Sequence, residues 1–176
     1  GKKIKWKGIL PVIIFVIGIC TVYEIVSYYD QTYQEQKRMK AELNAVNYAQ
    51  EMMADIQKGI SITEIMEQVV TSWNGDVDYF SALAANLANE NVQSIKIAPE
   101  GIVTNIYPEE DSEDWQIDLI NDEKYRKITQ YGIDHDMVVI QGPIDLKQGG
   151  KGIAIRNPVF LEDAEGKKNF WGLTIV

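Results

Sequence analysis

The sequence contains one cysteine and one histidine among its 176 residues. A single cysteine, Cys20, excludes an intrachain disulfide, a cysteine-based metal site and redox chemistry on a thiol pair. The single histidine, His135, cannot supply the two or three imidazoles that most transition-metal sites require. The sequence therefore predicts neither a metal site nor a redox function.

Catalytic and cofactor-binding motifs are also missing. The sequence has no G-x-S-x-G nucleophile turn and no H-E-x-x-H pair. The stretch 149–151 is not a phosphate-binding loop, because Asp145 and Gly152 stand where such a loop needs glycine and a hydroxyl residue. We expect no cofactor and no enzymatic activity in this segment. The hypothesis of a hydrolase with paired acids such as Glu109 and Asp118 is supported only by the closeness of these residues in the sequence.

Positive charge is scarce outside the N-terminus. The formal net charge is −9, and leaving out Lys2, Lys3, Lys5 and Lys7 makes the remainder −13. A surface of this charge repels nucleic acid and anionic membranes, so small molecules, cations or proteins are the expected partners. The acidic run 109–114 lacks the spacing and glycine of an EF-hand loop, and we expect it to be solvated rather than to bind Ca²⁺.

The N-terminus does contain a long apolar run. No residue between Gly8 and Tyr23 is charged, and extended to Val26 the run approaches the ~20 residues that cross a bilayer. Residues 8–28 are therefore predicted to form a transmembrane helix. A cleaved signal peptide is the alternative, although a small-x-small cleavage site is missing after the apolar core. The lysines of residues 1–7 predict a cytoplasmic N-terminus and an extracytoplasmic remainder.

A long stalk helix over residues 29–60 is predicted to continue from the span. Residues 24–58 contain no proline or glycine and are rich in residues that favour helix. Apolar residues recur along it at steps of three and four, namely Met39, Leu43, Val46, Ala49, Met53, Ile56 and Ile60. Such a stripe pairs with a second copy or packs on its own domain. A homodimer through the long helix is predicted, with packing on the chain's own domain as the alternative.

The remainder, residues 61–176, is predicted to begin with further helices. Gly59 is expected to end the stalk helix, and the S-x-x-E sequence 61–64 has the form of a capping box that starts a second helix. This second helix is expected to end near Trp73. A third is predicted from Val77 to about Ala88, and another, later in the chain, is expected to end at Gly132.

Five antiparallel strands are predicted in the same region. The alternating or β-branched stretches are 92–98, 102–107, 137–141, 152–160 and the residues from Phe170 onward. Gly149-Gly150 joins two of these strands through a tight turn, while Pro143 and Pro158 are expected to mark strand ends or bulges. The fold class is therefore α+β, with a PAS-like antiparallel five-stranded sheet and flanking helices.

Polar side chains interrupt the apolar strands at Gln141, Asp145 and Arg156. A buried polar group needs a partner, and in a concave sheet a small ligand can be that partner. The planar fork of Arg156 suits a carboxylate or a phosphate. The alternative is that Arg156 pairs with an acidic residue at the surface.

The chain resembles the CHASE domain, an extracytoplasmic sensory module of membrane-bound cyclases and histidine kinases. The pattern is G-P-I-x-L, a glycine turn, and then G-I-x-I-R-x-P-V-F, within a match from Tyr79 to Phe160 that covers about half the chain. Gln116 departs from it, since related sequences often have glycine there. The resemblance implies that the ligand pocket is lined by the region that contains Gln141, Asp145, Leu146, Lys147 and Arg156. It does not name the ligand.

These features predict the extracytoplasmic ligand-sensing domain of a membrane-bound receptor. The resemblance implies a diguanylate cyclase or histidine kinase output outside this sequence, and a protein that crosses the membrane once or twice. The chain begins at Gly1 and stops within the apolar run 174–176, so we expect it to be cut from a longer protein. A membrane-anchored protein-binding or structural module without a small-molecule ligand is the alternative.

Overall fold

The computed structural model describes residues 5–109, 113–146 and 149–176. Internal contacts divide the chain into two compact units, Gly1–Glu51 and Met52–Val176. The elements, in chain order, are α1 (Trp6–Ser72), α2 (Phe80–Leu87), β1 (Ile95–Pro99), β2 (Asn105–Tyr107), α3 (Arg126–His135), β3 (Val139–Asp145), β4 (Lys151–Glu162) and β5 (Lys168–Ile175). This is the α+β composition that the sequence predicts.

Helix α1 is 67 residues long and includes the whole apolar run. Near its N-terminus, a window of 18 residues has a mean hydropathy of 2.5, and none of that window is buried. By length and composition the helix is able to cross a membrane. A signal sequence has the same character, so the uncleaved anchor stays a prediction.

The predicted break in this helix at Gly59 is wrong, because α1 continues to Ser72. A Cβ atom on Gly59 would stand 2.5 Å from Cδ1 of Ile155, so the glycine allows the helix to approach β4 closely. The Ser61 hydroxyl donates a hydrogen bond to the Gln57 carbonyl within the same helix and caps no new one. Glycine here serves helix-to-sheet contact, not helix termination.

The five strands form one sheet in the order β2-β1-β5-β4-β3, and every neighbouring pair is antiparallel. The predicted five-stranded antiparallel sheet is confirmed. The β3–β4 hairpin turns at Gly149 and Gly150, whose φ angles are 92° and 89°. The β1–β2 hairpin turns at Glu100 and Gly101, which also have positive φ. These are the conformations that tight turns require.

The two prolines of the hairpin lie where the ladder allows them. The β3–β4 register shifts between Gln141 and Ile144, so Pro143 lies at the predicted bulge. Pro158 lies inside β4 and pairs with Leu173 of β5. Pairing with β3 has ended at that point, so Pro158 has a partner strand on one side only, as proline in a sheet requires.

The end of α3 and the backbone at Gln116 also differ from what the sequence predicts or explain it. Helix α3 passes through Gly132 and ends at His135, followed by Asp136 with φ 47°, so the predicted end at Gly132 is wrong. A Cβ atom on Gly132 would stand 3.0 Å from Cγ1 of Val139, which explains the glycine by close packing. Gln116 adopts φ 63°, the left-handed conformation that favours glycine.

The sheet carries a hydrophobic cluster on each face. On the α1 face, side chains of α1, α2 and the sheet form one cluster, with Ile62, Met66, Val70, Phe80, Ala84, Ile95, Ile97 and Val159 buried. On the α3 face, Ala98, Val103, Ile106, Leu119, Leu173 and Ile175 form a second cluster, with Tyr125 and Ile133 packed against it. Neighbouring residues of a central strand therefore point into different clusters.

Candidate functional site

The candidate site is built around Arg156 on the α3 face of the sheet. Arg156 pairs across the ladder with Val139 on one side and Ile175 on the other, and Ile175 pairs with Lys96. Directly paired residues share a face, so two cationic side chains lie in one row on the α3 face, and the other two members of that row, Ile175 and Val139, are apolar. The Arg156 residue is only 4% exposed.

The guanidinium of Arg156 has a neutral partner. Its Nη1 donates a hydrogen bond of 2.7 Å to Oε1 of Gln141, and its charge lies over the Tyr125 ring at 5.3 Å from the centroid. Its Nε is buried and has no hydrogen-bond partner among the described residues. Burial lowers the pKa of Arg156 from its ordinary value, against the opposing effects of Tyr125 and Asp114. Arg156 is therefore buried and not at the surface, and its hydrogen-bond partner among the described residues is an amide, not the acidic residue of the predicted alternative.

A second cation on this face is neutralised directly. The Nζ of Lys96 lies 2.6 Å from Oδ2 of Asp114, and the Lys96 side chain is 17% exposed. Desolvation strengthens a pair of this kind relative to one at the surface. The same carboxylate acts on Arg156 at longer range. The site therefore combines one paired and one incompletely satisfied cation.

An open cleft of about 390 Å³ adjoins Gln141. Its other lining residues come from α3 and the residues before it, and they are Lys124, Lys127, Ile128 and Tyr131. Lys124 also lies over the Tyr125 ring, at 5.1 Å from the centroid, and its contact with Tyr125 raises the pKa of Lys124 above its ordinary value. Cleft volumes of about 300–1,000 Å³ suit small molecules.

The structure brings some of the predicted pocket residues together and separates others. Gln141 lines the cleft and accepts the hydrogen bond from Arg156. Asp145 has a side chain that is 84% exposed and forms an ion pair with Lys151 in the hairpin. Leu146 lies against Gly152, where a Cβ atom would stand 2.8 Å from the leucine Cδ2. Lys147 lies outside the described residues, so as a set these five remain a prediction.

Several residues of the site were missed from the sequence. They are Lys96, Asp114, Lys124, Tyr125, Lys127 and Tyr131. The signal for Lys96 was present, because it is a single charge within the apolar stretch 95–98, the same feature that identified Arg156. The others precede or form α3, and only the three-dimensional packing places them beside β3 and β4.

The opposite face of β4 carries a buried polar contact with α1. The Asn157 amide donates a 2.6 Å hydrogen bond to Oε2 of Glu67. Its β5 partner, Thr174, donates a 2.9 Å hydrogen bond to the Thr63 carbonyl. Asn157 is 5% exposed, and both threonines are fully buried. Adjacent residues Arg156 and Asn157 therefore connect the cleft side of the sheet to α1.

The structure also bears on Asp118 and on the acidic run 109–114, which the sequence offered as candidate catalytic or Ca²⁺-binding groups. Asp118 accepts hydrogen bonds from the side-chain and backbone N–H groups of Asn121, and these lower the pKa of Asp118. This bonding favours a turn-forming carboxylate over a general acid, which needs a raised pKa. Residues 110–112 of the acidic run lie outside the described ranges. Within those ranges, no group of three potential metal ligands converges.

Comparisons with known proteins point to a receptor of similar fold. No family profile matches the sequence, and no protein with curated function does. A solved structure, an extracellular ligand binding receptor from Desulfohalobium retbaense DSM5692, is similar with a TM-score of 0.56 and 23% identity. The match covers 73% of this chain and 23% of that receptor chain. At this identity the likeness establishes the fold, and the resemblance to the CHASE family stays a prediction.

Proposed function

We propose that this chain is the extracytoplasmic ligand-sensing region of a membrane-anchored receptor. The observation that carries the proposal is Arg156, a buried guanidinium whose Nε lacks a partner among the described residues and whose Nη1 bonds Gln141 at an open cleft. Incompletely satisfied buried polar groups beside a cleft are typical of binding sites. The receptor of similar fold is itself named as extracellular and ligand-binding, and the CHASE resemblance points to the same class.

Signal relay in this proposal runs from the cleft through β4 to α1. A ligand that contacts Arg156 or Gln141 acts on a strand whose next residue, Asn157, bonds Glu67 of α1. A ligand changes the population of two arrangements only by binding one of them more tightly. The buried hydrogen bonds of Asn157 and Thr174 give α1 a defined position on the sheet that such a ligand would stabilise or shift.

The output is proposed to be a diguanylate cyclase or a histidine kinase elsewhere in the full-length protein, regulated through a dimer of α1 helices. Support for the dimer comes from an exposed apolar stripe on α1, in which Met39, Leu43, Val46 and Met53 are between 52% and 70% exposed. Stripes with this spacing pair in coiled coils. The same stripe supports the second candidate function, a membrane-anchored module that binds another protein.

A compound that binds the cleft is expected to stabilise the protein against heat. At 100 times its dissociation constant, a ligand adds about 2.7 kcal/mol, which raises the unfolding midpoint of a chain this size by about 5–10 °C. The 176-residue chain in detergent micelles should be screened by tryptophan fluorescence against amino acids, carboxylates, sugars and adenine derivatives. If no compound raises the midpoint, the sensor proposal fails and the protein-binding module is favoured.

A cysteine at the stripe is expected to form a disulfide between two copies. With Cys20→Ser as background, Val46→Cys should give a covalent dimer under mild oxidation, visible on a non-reducing gel. Tyr48→Cys is the matched control, because two residues along a helix turn its side chain by about 200° to the other side. Equal cross-linking of both variants, or of neither, would argue against a dimer through this stripe.

A further inference from the structure

The cation at the centre of the site has no acidic partner within the part of the chain that the structure describes. Among the described residues, no carboxylate forms an ion pair with Arg156, and the hydrogen bond from its Nη1 goes to a neutral amide. Burying a charge without a paired counter-charge is costly, so a protein that retains such a group commonly uses it. Asp114 lies near enough to influence Arg156 but pairs with Lys96.

The cleft beside this cation is positively charged in an otherwise acidic protein. Lys124 and Lys127 line it, although the chain carries a formal net charge of −9. Local positive charge at a concave site raises the concentration of anions there. Ile128 and Tyr131 supply apolar surface in the same cleft, and its volume of about 390 Å³ suits a molecule of metabolite size.

We propose that the ligand carries an oxyanion, a carboxylate or a phosphate, and that this group replaces the Gln141 side chain on Arg156. The inference rests on the proposed sensor function and specifies its ligand. Gln141 lines the cleft and offers Arg156 one neutral oxygen, whereas an oxyanion offers at least two charged ones. The guanidinium fork donates two parallel hydrogen bonds to an oxyanion, whereas Gln141 accepts one, so the exchange pairs the charge and adds a hydrogen bond. The apolar part of the ligand then contacts Ile128 and Tyr131.

Matched acids and amides test this inference on the full chain in micelles. The probes are acetate with acetamide, succinate with succinamide and benzoate with benzamide, together with inorganic phosphate, each at equal ionic strength. We expect at least one anion to raise the unfolding midpoint by several degrees, with no effect of its uncharged counterpart. A shift with phosphate but not with the carboxylates, or the reverse, identifies which oxyanion is bound.

Gln141→Glu provides the decisive variant, because its carboxylate supplies the oxyanion from within the protein. We expect it to raise the midpoint of the ligand-free chain and to remove most of the stabilisation by the anion. The control Gln93→Glu adds the same charge at an exposed position outside the cleft and should leave the anion effect unchanged.

Three results would overturn the inference, namely equal stabilisation by acids and amides, full anion stabilisation of Gln141→Glu, or no stabilisation by any anion. If a neutral or cationic compound still stabilises the protein in the broader screen, the sensor function stays supported and only the oxyanion proposal is rejected. Failure of every compound in both experiments would remove both proposals.

Discussion

Replacing Met66 by alanine is expected to lower the free energy of unfolding by about 2–5 kcal/mol, the cost of removing a large side chain from a close-packed core. Met66 is fully buried on α1, within the cluster on the α1 face of the sheet. The loss should be measured by urea unfolding followed through tryptophan fluorescence, since Trp171 packs against the same cluster.

The control for this change lies on the same helix. Met52 is 48% exposed, so Met52→Ala should change the free energy of unfolding by no more than about 0.5 kcal/mol. A loss for Met66→Ala as small as the one expected for Met52→Ala would mean that the segment of α1 around Met66 is not packed in the folded domain. The relay proposal would then lose its physical basis, because it needs this segment packed on the sheet.

The substitution Gly172→Ala is expected to be similarly damaging through overcrowding. A Cβ atom on Gly172 would stand 2.8 Å from Cα of Pro99 and would also meet the carbonyl oxygen of Ala98, both backbone atoms of β1. Backbone cannot move aside as a flexible side chain can, so β1 has to separate from β5. Overpacking typically costs about 1–3 kcal/mol, and more where backbone is displaced.

The β1–β2 hairpin should therefore become less stable than the rest of the sheet in Gly172→Ala, which hydrogen exchange of the amides of residues 95–107 would report. Gly18→Ala is the control, because beyond its chain neighbours and the adjacent turns of its own helix backbone no described atom lies within 4 Å of the position of its Cβ, and alanine favours helix. Unchanged exchange in Gly172→Ala would contradict the close β1–β5 packing described above.

The strands were predictable because their signals are local. Alternation of apolar and polar residues predicted β1, and the Gly149-Gly150 pair predicted the β3–β4 turn. Both signals depend on residues that are close together in the chain. The helix ends were not predictable in this way. Gly59 and Gly132 have the residue type of a helix cap, yet each is glycine because another element packs against it. A capping pattern at residues 61–64 was overridden by burial of the α1 side chains around it.

The residues of the candidate site likewise fall into a group that local patterns predicted and a group that they did not. Arg156 and Gln141 were identified because each is a polar residue on an apolar strand, which is a local pattern. Their direct hydrogen bond follows from the β3–β4 register, set by a hairpin. Tyr125 and Asp114 join the site through contacts between segments far apart in the sequence, and no spacing rule predicts those.

Hydrogen exchange of the full chain, with and without a compound that stabilises it, would show whether the cleft senses a ligand and whether α1 responds. We expect slower exchange in two separate segments, residues 125–156 around the cleft and residues 60–70 of α1, with the second effect weakened by Asn157→Leu. Slowing confined to the cleft would contradict the relay through β4. If the compound slows exchange elsewhere but not in residues 125–156, the compound does not bind at the cleft and the proposed site is wrong.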